Sequence, residues 1–163
     1  MAKTEKRNIY KETMQLAKEQ NIGMKWYQFI IYLPLLIGAI LNIFMSLSFI
    51  TGTRYLNNTD AVYATYNGLQ AIDIIYGLIS IGISIWALTI YVHMKKFRTK
   101  APQYTNIYLI IRTAITAIYS IAFIGITGVA DSFSSDLVSV VVWISMIIYN
   151  KKYFAERESF FVN

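Results

Sequence analysis

The chain has no cysteine and one histidine. Disulfides, thiolate metal sites and cysteine nucleophiles are therefore excluded, while the redox compartment stays open. His93 has no second histidine or cysteine to share a metal with, and its place beside a basic loop suits a structural role at a membrane surface. No metal and no cofactor are expected. Proline occurs twice, at Pro34 and Pro102, and charged residues fill only 15% of the 163 positions. Also missing are G-x-S-x-G, H-E-x-x-H, the P-loop lysine motif and any paired carboxylates or histidines within an apolar run. These absences argue against an enzyme, and no catalytic residue is nominated.

What remains is apolar. Hydrophobic residues make up 56% of the chain, with a mean hydropathy of +0.44, beyond what an ordinary soluble domain carries. A helix needs about 20 apolar residues to cross the hydrocarbon core. Runs that meet or approach this cover residues 26–50, 64–94, 104–126 and 136–154. The expected fold is all-α: a polytopic membrane protein with four transmembrane helices. Residues 1–24 form a cytoplasmic amphipathic helix and residues 25–163 the four-helix transmembrane domain. The first run is too long for a signal-peptide core and lacks a small-x-small cleavage site, so it is expected to stay as the first span.

Lysine and arginine set the orientation. Lys3, Lys6, Arg7, Lys11, Lys18 and Lys25 precede the first span. Lys95, Lys96, Arg98 and Lys100 link the second to the third, and Lys151, Lys152 and Arg157 follow the fourth. The other two loops hold Arg54 alone and the acidic pair Asp131 and Asp136. Both termini and the middle loop are thus expected in the cytoplasm, in a multi-pass protein of the cell membrane. The net charge of +6 reads as a topology signal rather than a nucleic-acid footprint. Trp26, Tyr27, Tyr91, Tyr104, Tyr108, Tyr149, Tyr153 and Phe154 gather near the inner boundary, where amphipathic rings prefer to sit.

The second run carries a seam. Tyr66, Gln70, Asp73, Gly77, Ser80, Ser84, Ala87 and Tyr91 follow one another at steps of three and four, while most residues between them are large and apolar. Such spacing places the eight on one face of a helix. Helices in a bilayer meet through small and hydrogen-bonding residues, so this face is expected to contact other helices. Gly38, Asn42 and Ser46 form a second such seam in the first span, after Pro34, which should loosen the helix there. In the third span Arg112, Thr116 and Tyr119 share a face. Asp73 and Arg112 are charges at membrane depth, where about 2.5–3.5 kcal/mol opposes each insertion. At 1.5 Å per residue in a core of about 30 Å, their axial offset is about 8 Å, close to arginine's reach. The expectation is an intramembrane polar cluster of Asp73, Arg112, Gln70, Asn42, Thr116 and Tyr119. Its packing seam is Gly77, Ser80, Ser84, Gly38 and Ser46.

Residues 4–21 read as a helix outside the membrane. Ile9, Tyr10, Thr13, Met14, Leu16 and Ala17 fall on one side, with Lys11, Glu12, Lys18 and Glu19 opposite. This face suits the inner leaflet or a cytosolic partner. A solvated lead-in is the simpler reading, since three glutamates weaken attraction to anionic lipid. The triplet Asn57-Asn58-Thr59 matches a glycosylation acceptor. Asp131 and Asp136, with Ser132, Ser134 or Ser135, are expected to cap the fourth span.

Three stretches carry a resemblance: Lys25-Trp26-Tyr27, the run Gln70-Ala71-Ile72-Asp73-Ile74-Ile75-Tyr76-Gly77, and a tail with Tyr153-Phe154, Arg157 and Phe161-Val162-Asn163. In these the chain resembles a group of uncharacterised small four-helix bacterial membrane proteins, over about residues 24–163. The resemblance implies the four-helix membrane fold and no activity. Some members of the group carry an N-terminal zinc ribbon, which a chain without cysteine lacks. A charged helix occupies that place instead.

Two function classes fit. One is a non-catalytic membrane protein that works through helix and protein contacts, as an accessory, regulatory or immunity-type protein. Its partners are the lipid bilayer and a second copy or another membrane protein, not nucleic acid. The alternative is a small oligomeric transporter or channel, with Asp73 and Arg112 inside the bundle. Four helices are few for a pore and one carboxylate is little for ion coupling, so the first class is favoured.

Overall fold

The computed structural model describes residues 8–129 and 133–162, the side chains of residues 133–137 excepted. The expected capping by Asp131, Ser132, Ser134, Ser135 and Asp136 lies outside the described residues, as does Asn163. Among the described residues all regular structure is helical. Helix α1 (Ile9–Glu19) is capped by Asn8, whose side chain accepts from the Lys11 amide at 3.2 Å, and ends two residues before the expected 21; residues 4–7 of that stretch lie outside the described residues. Helix α2 (Lys25–Tyr32) runs through a π-helical turn (Leu33–Ile37) into α3 (Gly38–Thr51). That turn is where Pro34 acts. It donates no amide hydrogen bond, and the widened turn lets the Gly38 amide reach back to the Leu33 carbonyl.

Helix α3 stops at Gly52, in the left-handed region at φ +73°. A Cβ there would overlap the Thr59 methyl, and the left-handed backbone itself favours glycine. The Thr59 hydroxyl closes the turn by donating to the Gly52 carbonyl at 2.8 Å. A short 3-10 turn (Thr53–Asn58) and α4 (Thr59–Thr65) follow, occupying what the sequence reading took for a loop and the start of a span. The long second helix, α5, covers Leu69–Lys95, five residues later than expected, because the chain breaks at Gly68. Tyr66 therefore precedes the helix whose seam it was assigned to. Helix α6 covers Ala101–Thr127, with Pro102 in its first turn, where a missing amide hydrogen costs nothing. Helix α7 covers Phe133–Ala155, and a 3-10 turn (Glu158–Phe160) leads the tail back.

Three described segments are long and apolar enough to cross a membrane: Lys25–Thr65, Leu69–Lys95 and Ala101–Thr127. Helix α5 is central, with α3 on one side and α6 on the other, and α7 packs on α6. Large apolar side chains such as Leu41, Phe44, Met45, Ile118 and Ile121 face outward, as a lipid-facing surface requires.

The end of the bundle that carries α1 and the tail after α7 is closed by rings. Tyr27 stacks on Phe97 at 4.9 Å, and Phe161 meets Phe97 at 5.3 Å and Phe154 at 5.7 Å. Phe97, at φ +49°, accepts a backbone conformation rare for a side-chain-bearing residue and buries its ring completely. Helix α1 lies on this cap, with Ala17 buried and Ile9, Tyr10 and Met14 packed against it, while Leu16 is exposed.

Candidate functional site

At the opposite end of the bundle, Asp73 sits one turn into α5 with no solvent exposure. Its four donors come from three elements. The left-handed turn at Gly52 brings the 3-10 segment back over the helix ends, so Tyr55 donates to Asp73 Oδ2 at 2.8 Å. Tyr63, on α4, donates to the same oxygen at 3.1 Å. Tyr119, on α6, donates to Oδ1 at 2.6 Å. Arg54 Nη1 lies 3.6 Å from Oδ1 and also donates to the Tyr119 hydroxyl. A buried carboxylate is tolerated when paired and hydrogen-bonded on both oxygens, and Asp73 meets both conditions.

Arg54 is held by aromatic faces as well. Its guanidinium carbon is 4.1 Å from the Phe49 ring centre, 5.0 Å from Tyr55, 5.6 Å from Phe123 and 5.7 Å from Tyr119. Tyr76 stacks on Tyr119 at 4.1 Å and extends the ring cluster to α5. Beside it lies a cavity of about 120 Å³ lined by Arg54, Tyr76, Thr116, Tyr119, Ser120 and two phenylalanines. The arrangement ties the segment between α3 and α5 to α5 by one ion pair and two hydroxyl bonds, and to α6 through Arg54 and Tyr119.

Arg112 is elsewhere. It donates to the Tyr108 hydroxyl at 2.8 Å and lies 5.1 Å from the Trp143 ring, joining α6 to α7. The expected coupling of Asp73 with Arg112 is thus replaced by Asp73 with Arg54. Of the other nominated residues, Tyr119 bonds Asp73, Thr116 lines the adjacent cavity, and Gln70 faces outward, exposed. Asn42 belongs to the α3–α5 contact instead. It donates to Ser84 Oγ at 2.8 Å and to the Ser80 carbonyl at 3.3 Å, while Ser46 donates to the Asn42 carbonyl at 2.6 Å. Gly77 is the point of closest approach, since a Cβ there would come within 2.8 Å of the Ser46 carbonyl oxygen. Gly38 serves the π turn rather than this seam; a Cβ on it would stand 3.1 Å from the Leu33 carbonyl oxygen.

Sequence reasoning passed over Arg54, Tyr55 and Tyr63. A signal was there: Asp73 stands near the end of its apolar run that adjoins the outer loop, and Arg54 is the one cation in that loop. His93, read as interfacial, has Nε2 3.2 Å from Arg98 Nη1. Among the described residues no cluster of histidine and carboxylate side chains could hold a metal ion. Outside the spans, burial raises the pKa of Tyr10 on α1, keeping its hydroxyl protonated. No family model, curated protein or solved structure matches the chain.

Proposed function

We propose that the chain is a non-catalytic, four-span protein of the cell membrane, with both termini in the cytoplasm, that acts through contacts with other proteins. The accessory, regulatory or immunity-type roles belong to this reading, as does membership of the small four-helix bacterial group it resembles. Helix α7, 23 residues long, would span about 35 Å at 1.5 Å per residue and serves as the fourth span. Lysines and arginines gather at the terminal end of the bundle, which supports reading that end as the inner one. Helix α1 is the amphipathic element, with Tyr10 and Ala17 toward the ring cap and Lys11 and Lys18 toward water.

The observation that carries the reading is the saturation of Asp73. The carboxylate that a transporter would use has both oxygens engaged by hydroxyls and Arg54, and Arg112 is committed to Tyr108 and Trp143. A latch of this kind shapes a surface rather than a path. Native mass spectrometry of the detergent-solubilised protein tests it, and should find a discrete homo-oligomer or a stoichiometric membrane-protein partner. A monomer whose reconstitution supports a proton flux abolished by Asp73→Asn would overturn it in favour of transport.

A further inference from the structure

A groove of about 520 Å³ runs between the start of α2 and the end of α7, at the terminal end of the bundle. Trp26, Phe29, Tyr149 and Tyr153 line it together with two cations, Lys25 and Arg157. Its aromatic wall is fixed in place. Trp26 stacks on Phe29 at 4.9 Å, meets Tyr149 edge-on at 4.6 Å, and donates its indole N–H to Asn150 Oδ1 at 2.6 Å. Asn150 is fully buried, and its Nδ2 has no acceptor among the described residues.

The cations differ. Arg157 lies 3.7 Å over Tyr153, donates to the Gly23 carbonyl at 3.2 Å, and pairs with Glu156 at 3.1 Å. Lys25 is exposed and makes no ion pair among the described residues. Lys151 and Lys152, also exposed, follow Tyr149 by two and three residues on α7. Fixed rings beside lysines at the level where helices leave the bilayer match the two parts of a phospholipid. The rings suit the glycerol and upper acyl region, and the cations suit a phosphodiester. A soluble phosphate would leave Phe29 and Tyr149, both outward-facing, without a counterpart.

We propose that this groove binds an anionic phospholipid of the cytoplasmic leaflet, with Lys25 as the principal phosphate contact and Arg157 positioned beside it. The proposal rests on the four-span reading above. The full-length protein in nanodiscs of phosphatidylglycerol and phosphatidylcholine would be released into the gas phase and its retained lipids weighed. Phosphatidylglycerol should be enriched over phosphatidylcholine. Lys25→Gln should lower the enrichment about fivefold, as loss of one cation near an anionic surface predicts. Lys25→Arg should restore it, and Lys100→Gln, outside the groove, should leave it unchanged. Equal retention of the two lipids, an equal loss with Lys100→Gln, or displacement by millimolar inorganic phosphate would overturn the site. Nanodiscs expose both leaflets, so a failure is separable from a failure of the topology, which labelling in cells reads independently.

Discussion

A carboxylate without solvent access must find its donors inside the protein, and Asp73 finds three hydroxyls and a guanidinium. Removing either member of such a pair strands the other. Arg54→Gln leaves a buried charge with hydroxyl donors only, and Asp73→Asn leaves a guanidinium among rings. Each should lower stability by about 2–4 kcal/mol. The double variant should lose less than the sum by about 1 kcal/mol or more, since groups in one network couple. Arg112→Gln should add to Asp73→Asn within about 0.5 kcal/mol, as unlinked sites do. Thermal unfolding in a fixed detergent reads all of these, and coupling to Arg112 instead of Arg54 would contradict the network described. The sequence shows Asp73 plainly, because one carboxylate stands out in an apolar run. Its partner is hidden because Arg54 and Tyr55 lie beyond the Gly52 turn, and only the left-handed backbone there folds them back. Axial arithmetic between helices does not contain that reversal.

The helix pair α3 and α5 is the best-defined contact between elements, and Gly77 sets its distance. Even a methyl group at Gly77 meets the Ser46 carbonyl oxygen at 2.8 Å and Ile50 Cγ1 at 2.7 Å. Ile50 can turn aside, but the carbonyl belongs to the α3 backbone. Gly77→Ala should therefore push the helices apart and destabilise by about 1–3 kcal/mol, the usual range for overpacking. Ser80→Leu should do more, since it also crowds Asn42 away from its bonds to Ser80 and Ser84. Ile79→Leu, on an outward face, should change the melting temperature little. A Gly77→Ala protein as stable as the parent would mean that the two helices do not approach as described. Steps of three and four made this seam legible from Asp73 to Ala87, all of whose seam members are buried. Legibility fails at its start, where Gly68 delays the helix and leaves Tyr66 outside it and Gln70 in the open. Periodicity reports which residues share a face. It does not report where the helix begins.

At the scale of the whole molecule, the start of α2 and the tail after α7 meet. Lys25-Trp26-Tyr27 and the tail were singled out as separate motifs, and they converge on one ring cap. The Tyr153 hydroxyl donates to the Gly23 carbonyl at 3.1 Å, and Phe161 is buried against Tyr27, Phe97 and Phe154. Composition predicted aromatic residues at this level as an interfacial belt. Their use as a core, with the tail folded back, depends on contacts such as Tyr27 with Phe161 and Gly23 with Tyr153, far apart in sequence, which no local pattern carries. Phe161→Ala should cost about 3–5 kcal/mol, as deletion of a buried ring does, and should expose the tail to carboxypeptidase. A tail as resistant as the parent's would separate it from the cap. The proposed topology has a consequence for the cap, since α1, the tail and the α5–α6 connection share it and the Asp73 latch lies at the far end. Only one crossing pattern keeps the basic cap inside. The chain has no cysteine, so Asn57→Cys and Lys100→Cys each introduce a single thiol at an exposed position. An impermeant maleimide applied to intact cells should label Asn57→Cys and spare Lys100→Cys until the membrane is opened. The reverse pattern would turn the molecule over, placing the ring cap outside and the Arg54–Asp73 latch in the cytoplasm. Labelling of both in intact cells would mean that the two positions are not separated by the bilayer, and the four-span arrangement would fall with it.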